Sequence, residues 1–430
     1  MGISPLLAAV RIPMMASNGA GRVKNRTSPG DEARAERLRR RYPTVESLRA
    51  RARARVPRFA FAFVDGGAND EECAARNATA LSSVELLPRY CIDTKDVSTE
   101  VELFGRTYAA PFGVAPMGSG GLIWPGAEEY LAAEAQARNV PYILATPANA
   151  SIERIAKIAP DVFWFQLYRF PKDDHAITFD LVKRAGDAGA QVLVPTIDSA
   201  GKSKRPRDIR HGVKVPFKIG PKIFLQVARS PAWTLALRRH GLLRTENIVP
   251  YTEGRATTGS TAQTMQARAS GSHTWDELAR LRDRWKRAFV VKGVLHPEDA
   301  ARLVKLGVDG MIVSNHGGRH FDGAPASIDM LPAIVAEVGA RATVMIDSGF
   351  RSGLDVVRAL ALGAKAAFMG RPFLYGLGAL GEGGARHVMD MMFDELRREF
   401  QHVGVRSVAE AATIPARHLR AWDLEAQKNT

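Results

Sequence analysis

The chain has 430 residues, 46% of them hydrophobic and 24% charged, the balance of an ordinary soluble globular protein. Lys and Arg outnumber Asp and Glu by 60 to 45, giving a formal charge of +15, but no zinc-ligand spacing, RNP-type aromatic motif or helix-turn-helix pattern accompanies it, so nucleic acid is not an expected partner. Two cysteines, Cys73 and Cys91, argue against a disulfide framework and for a reducing cytoplasm, and no apolar run approaches the roughly 18 residues a membrane span needs.

Residues 1–42 read as a polar, Arg-rich tail without sustained periodicity, expected to be disordered. Its apolar patch, Pro5 to Val10, has no basic segment before it and fits a secretory signal poorly. The basic run Arg34 to Arg40 reads as a solvated face. Thr44 predicts the N-cap of a helix that runs through Arg55 and is stopped by Pro57. An aromatic segment, Phe59 to Val64, and a turn, Asp65 to Ala68, follow.

From residue 111 short apolar runs alternate with amphipathic stretches. The predicted strands are Phe112–Met117, Tyr142–Thr146, Phe163–Tyr168, Val192–Asp198, Phe289–Val294, Gly310–Asn315, Thr343–Asp347 and Ala366–Gly370. Between them lie predicted helices such as Ala127–Ala137, Asp173–Ala188, Pro297–Leu306, Leu331–Val338 and Gly353–Leu362. Eight βα units in one run predict an α/β fold, a (β/α)8 TIM barrel, with an N-terminal helical segment before it. Gln166, Asp198, Lys292, His316 and Asp347 fall at strand ends, where that fold gathers its active-site groups.

One connection breaks the rhythm. Residues 199–275 join the fourth strand to its helix and far exceed a usual βα loop. The stretch mixes Lys218, Lys222, Arg229, Arg238 and Arg239 with Phe217, Ile223, Phe224, Leu225, Trp233 and Leu235. Two readings stand open: an amphipathic segment lying on a membrane surface, or a lid packing its apolar face on the barrel mouth.

The stretch Ser314-Asn315-His316-Gly317-Gly318-Arg319 follows the sixth strand and puts an imidazole and a guanidinium into one turn. A histidine takes a proton near neutral pH, and an arginine grips a carboxylate with two parallel hydrogen bonds. Lys292, set among valines, needs a compensating negative charge, either a flavin's anionic edge or a neighbouring carboxylate. Asp347 to Gly353 and Gly370-Arg371-Pro372 follow strands seven and eight, the usual phosphate position in barrels.

Ser314 to Arg319, Val-Lys-Gly-Val at 291–294 and Gln-Leu-Tyr at 166–168 resemble the FMN-dependent α-hydroxy-acid oxidase/dehydrogenase family. Ala115 to Gly118, Thr196 to Asp198 and Ala359 to Ala364 support the resemblance, which runs in unbroken order over roughly residues 43–420. It implies one FMN-binding barrel over residues 43–430, and oxidation of an L-2-hydroxy acid to the 2-oxo acid. By the same resemblance His316 is the base, Asp198 orients it, Arg205 and Arg319 hold the substrate carboxylate, and Tyr168 lies near its hydroxyl. Lys292 would stabilise the reduced flavin. Pro116, Met117, Gly118, Gln166, Thr196 and Ser314 would line its ring, and Asp347 would meet the ribityl chain. Ser348, Gly349, Arg351, Gly370 and Arg371 would surround the phosphate. No metal is implied.

Several positions depart from the family pattern. Phe63 stands where a substrate-binding tyrosine is usual, which implies a bulkier or more apolar substrate. Ala145 and Pro147 replace a hydroxyl and an aromatic residue, His320 a glutamine, Ser348 a glycine and Met117 a threonine. The long basic connection favours electron transfer to a quinone or protein acceptor, at the cytoplasmic face of a membrane. A peroxide-forming oxidase, or flavin oxidation of an amine or modified peptide, are the alternatives. The resemblance also implies a homo-oligomer, as a tetramer.

Overall fold

Eight parallel strands close into a barrel in which each strand pairs with its sequence neighbours and the eighth returns to the first. These are β1 Phe112–Val114, β2 Tyr142–Ala145, β3 Phe163–Leu167, β4 Val192–Pro195, β5 Ala288–Val294, β6 Gly310–Val313, β7 Thr343–Asp347 and β8 Ala367–Met369. The computed structural model describes residues 29–201, 203–213, 220–241 and 243–422. Of the sequence features above, the Pro5 to Val10 patch, Phe217 and Lys218 lie outside the described residues.

All eight strands expected from the sequence are present, several shorter at their C-terminal ends. The chain leaves the ladder there to face the barrel mouth: β1 stops at Val114 and β4 at Pro195, three residues before Asp198. Thr196 keeps one isolated bridge to Lys292. The strands are buried on both faces, which explains their continuous apolar runs; β1, β2, β3, β4, β6 and β8 expose no residue.

The N-terminal region departs from expectation. Pro29–Arg41, assigned to a disordered tail, forms helix α1. Arg39 reaches Asp394 of the helix Gly383–Val403 at 3.7 Å, and among the described side chains only Ala35 and Leu38 are half-buried there, too few to register as periodicity. Helix α2, Val45–Arg55, starts at Thr44 as expected, with reciprocal bonds between Thr44 and Ser47 closing a capping box. Phe59 to Val64 is itself helical, within α3, Arg58–Asp65, burying Phe59, Phe61 and Val64. Helix α4, Glu72–Ser82, lies against the turn that begins at His316.

The connection between β4 and its barrel helix is no loop. It contains α5, Pro206–Arg210; α6, Pro221–Ala228; α7, Pro231–His240; and α8, Thr258–Arg268. Ile223, Trp233 and Ala236 are buried, and Trp233 donates to the Leu122 carbonyl (3.1 Å) and meets Phe59 edge-on at 6.0 Å. Phe224, Leu225 and Leu235 on the same helices are 68%, 49% and 49% exposed. Buried and exposed apolar side chains thus lie on the same two helices.

Candidate active site

At the C-terminal mouth of the barrel, β6 delivers His316 in a left-handed conformation (φ 60). Its Nδ1 lies 2.8 Å from Asp198 Oδ1 and its Nε2 lies 3.2 Å from the Tyr168 hydroxyl. Asp198 approaches because residue 293 is glycine: a Cβ there would come within 2.7 Å of the Asp198 side chain, and φ is +102. Burial pushes the Asp198 carboxyl up, but His316 and Lys292 outweigh it and hold the group well below the usual carboxylate range. Burial pulls the His316 imidazole below its ordinary 6.5, more than Asp198 pulls it up, and Lys292 adds to the lowering. The ring is therefore neutral at neutral pH, with a carboxylate ready to stabilise its protonated form. His320 packs edge-on against it at 4.2 Å, its own pKa pushed down to about 3 by burial and by His316.

Beside this pair sits Lys292, 3% exposed. Its Nζ donates to Ser314 Oγ (2.8 Å) and lies 3.2 Å from Asp347 Oδ2 and 3.8 Å from Asp198 Oδ2. Burial alone would lower its pKa; Asp347 and then Asp198 more than offset that, and the ammonium stays charged. Gln166 donates to Thr196 Oγ1 (2.9 Å) and accepts from the Thr146 N–H (3.1 Å), so the floor of the site is rigidly bonded.

Opposite stand the arginines. Arg319 donates to the carbonyls of Phe63 (2.8 Å) and Gly66 (2.9 Å) and makes no salt bridge among the described residues. Burial, then Arg205 and Arg371, pull its pKa down to about 9: positive charge is crowded here, and Asp208 offsets it only in part. Arg205 is held by Ser203 (3.3 Å) and Asp208 (3.4 Å). Both guanidiniums lie over the Phe63 ring, at 5.1 Å for Arg319 and 5.9 Å for Arg205. Arg351 donates to the Phe350 carbonyl (2.8 Å) and also forms no salt bridge among the described residues. Burial lowers its pKa, as expected of a guanidinium placed for a ligand anion.

A cleft of about 880 Å³, counting space open at its mouth, runs between these groups. Of the residues expected to bind cofactor, Pro116, Met117, Gly118, Gln166, Thr196, Lys292, Asp347, Ser348, Gly349, Arg351, Gly370 and Arg371 line it, joined by Phe63, Tyr168, His316 and Arg319. Ser314 stands behind Lys292, Asp198 behind His316, and Arg205 meets the cleft across the Phe63 ring. Arg371 is engaged differently from Arg351: its three nitrogens donate to the carbonyls of Val64 (3.0 Å), Gly317 (2.9 Å) and Gly66 (2.9 Å), tying α3 to the catalytic turn.

Sequence reasoning missed Thr146, whose hydroxyl donates to the Gln166 carbonyl (2.7 Å) and accepts from the Tyr168 N–H (3.2 Å). It also missed Asn77, which exchanges amide hydrogen bonds with Asn315 (2.9 and 2.7 Å) and anchors the His316 turn to α4. Thr146 stood in the strand signal itself; Asn77 had no motif around it. The Arg351 guanidinium, in no salt bridge among the described residues, the Lys292 ammonium and a cleft walled by Ala115 to Gly118 fit a flat cofactor carrying an anionic group, as FMN does.

A family model described as FMN-dependent dehydrogenase matches residues 52–417. An L-lactate dehydrogenase of Caulobacter vibrioides is 39% identical over 367 residues, 85% of this chain and 95% of that one. An (S)-mandelate dehydrogenase of Pseudomonas putida is 35% identical over 360 residues, 84% of this chain and 90% of that one. Among solved structures, the monotopic membrane protein (S)-mandelate dehydrogenase superposes with a TM-score of 0.81 at 34% identity, over 86% of this chain and 97% of that one. A mandelate oxidase with (S)-4-hydroxymandelic acid gives 0.74 at 35% identity, over 88% and 99%. A match over most of the length, on a barrel whose mouth fits the cofactor, has one meaning: the chain belongs to the FMN-dependent dehydrogenase family and is an FMN-dependent oxidoreductase.

Proposed function

We propose that the protein oxidises an L-2-hydroxy acid with a bulky or aromatic side chain to the 2-oxo acid. The observation that carries this reading is the His316–Asp198 pair at 2.8 Å, facing a cleft whose far wall holds Arg319 in no salt bridge among the described residues. Arg319 and Arg205 bind the carboxylate, and the hydroxyl lies between Tyr168 and His316 Nε2. His316 takes a proton from the substrate, and Asp198 stabilises the imidazolium through Nδ1. FMN, when bound, would accept the two electrons and the second hydrogen that leave the substrate as the 2-oxo acid forms. Phe63 offers carbon where a hydroxyl would have gripped a small acid, and its ring between the guanidiniums suits an aromatic neighbour.

The electrons pass to a quinone or protein carrier at a membrane surface, with α6 and α7 as the contact. Lys222, Phe224, Leu225, Leu235, Arg238 and Arg239 on these helices and Arg229 between them are all exposed, a mixture of cations and large apolar groups suited to an anionic interface. No helix among the described residues is long and apolar enough to cross a membrane, so the contact is peripheral. The relative described as monotopic supports this reading.

Anaerobic mixing with glycolate, L-lactate, L-mandelate and their D-counterparts, followed at the flavin absorbance, tests the assignment. Bleaching by L-acids, fastest with L-mandelate and absent with D-acids, is expected. A flavin that no hydroxy acid reduces would refute the reaction; a glycolate preference would refute the side-chain class. Rapid reoxidation by air-saturated buffer would reassign the acceptor to oxygen.

A further inference from the structure

We propose that Ser348 is a positioning residue for the base, the member of a closed polar ring that ties the His316 turn to the Lys292–Asp347 ion pair. The proposal rests on the hydroxy-acid reading for what His316 does, but the ring itself is independent of it.

Ser348 is not glycine, yet it holds φ at +82, a region that favours glycine. Strain of this kind persists only where neighbouring contacts hold it in place. Two contacts do so here. The Ser348 hydroxyl donates to Asp347 Oδ1 at 2.8 Å and accepts the Gly317 N–H at 2.9 Å. Gly317 is the residue after the base. The N–H of His316 itself is taken by a second serine hydroxyl, Ser314 Oγ, at 3.0 Å, and that oxygen accepts from Lys292 Nζ at 2.8 Å. Lys292 closes the circuit on Asp347 at 3.2 Å.

Two consecutive backbone N–H groups at the base are thus held by two hydroxyls, one bound to the cation and the other to the anion of a single buried pair. Ser314, Asp347 and Ser348 are 0%, 4% and 8% exposed, so water competes little for these bonds. The ring fixes where the imidazole stands relative to Lys292, and any change in the charge that Lys292 faces reaches the turn through both serines. A glycine at 348 would relax the backbone but open the circuit at Gly317. Serine accepts strain in exchange for the link.

The test uses flavin-loaded wild type, Ser348→Ala, Ser348→Gly, Ser314→Ala and the Ser314→Ala/Ser348→Ala double variant, with L-mandelate and L-lactate as probe substrates. Both 348 variants are expected to lose about tenfold in kcat with KM within about twofold, the size of one lost buried hydrogen bond expressed only when the base acts. The double variant should lose little more than the worse single one, because both bonds belong to one unit. Two readouts do not need turnover. The flavin midpoint potential should move negative as Asp347, deprived of a donor, draws more of the Lys292 charge, and amide exchange across residues 314–320 should quicken at least tenfold in protein with and without FMN. Ser348→Gly should melt above Ser348→Ala and yet turn over as slowly, which separates positioning from stability.

Variants that change only the melting temperature, with kcat, potential and exchange as in wild type, would overturn the proposal. A wild type whose flavin no hydroxy acid reduces would instead sink the functional reading, while exchange and potential still judge the ring.

Discussion

His316 must be unprotonated to act, and burial sets its pKa below the ordinary 6.5. The sign follows directly: kcat/KM rises with pH along a limb lying under 6.5 and is flat through neutrality. Asp198 does most to raise this pKa, so in Asp198→Asn the limb moves still lower while kcat falls, because the imidazolium loses its support. His316→Ala should cost on the order of 10³-fold in kcat. A pH profile of kcat/KM for the three proteins checks all of this; a wild-type limb above 6.5 would show that His316 is not the titrating base. Phe63 allows a complementary test. Phe63→Tyr adds a hydroxyl beside Arg319 and Arg205, and should lower KM for glycolate about tenfold, the worth of one charge-assisted bond, while leaving L-mandelate unimproved.

Among the elements, α6 and α7 carry the membrane proposal. Phe224, Leu225 and Leu235 sit in water, and burying each such side chain is worth ~1.5–3 kcal/mol. Replacing all three by Ser should therefore weaken binding to anionic vesicles by at least about 100-fold. Turnover with a soluble dye acceptor should stay as in wild type, since none of the three lines the cleft. Co-sedimentation with vesicles decides it: equal binding by wild type and triple variant would return this face to lid packing alone. Helices α5, α6 and α7 went unread in the sequence, although Pro206, Pro221 and Pro231 each mark a start at a first-turn position. A run of five to ten residues is too short for apolar periodicity to show. The barrel strands were legible for the opposite reason: burial on both faces leaves continuous runs such as Val192 to Pro195 that nothing polar interrupts. The catalytic turn was legible because its chemistry is contiguous at 314–319. The phosphate-side arginines looked equivalent in sequence, and only the three carbonyls around Arg371 separate it from Arg351.

At the scale of the whole molecule, Asp65 is the joint that local reading could not find, since its partners lie 16, 142 and 310 residues away. It accepts from Arg49 of α2 (2.5 Å), Arg207 of α5 (2.6 Å) and the Tyr375 hydroxyl of the helix after β8 (2.7 Å). One carboxylate thereby fastens the N-terminal helices, the long connection and the last barrel helix at one point. Burial pushes its pKa up, but the bonds from Arg49 and Tyr375 outweigh that and bring it from 3.8 down to about 2. A depressed carboxyl contributes stability that is complete above 3.8 and is lost as pH falls through about 2, here amounting to about 2 kcal/mol. Asp65→Asn should thus destabilise the protein at pH 7 by about 2–3 kcal/mol, less than the ~3–5 kcal/mol of a fully enclosed pair. The discount reflects Arg49 and Arg207, each 39% exposed and each with a second carboxylate partner, Glu46 and Glu71. Because the variant has no carboxyl to protonate, the gap between it and wild type should narrow steadily between pH 4 and pH 2. Urea unfolding followed by tryptophan fluorescence across that range measures the gap. A difference that is constant with pH would mean that Asp65 acts through its hydrogen bonds alone and that its charge contributes nothing to holding the three segments together.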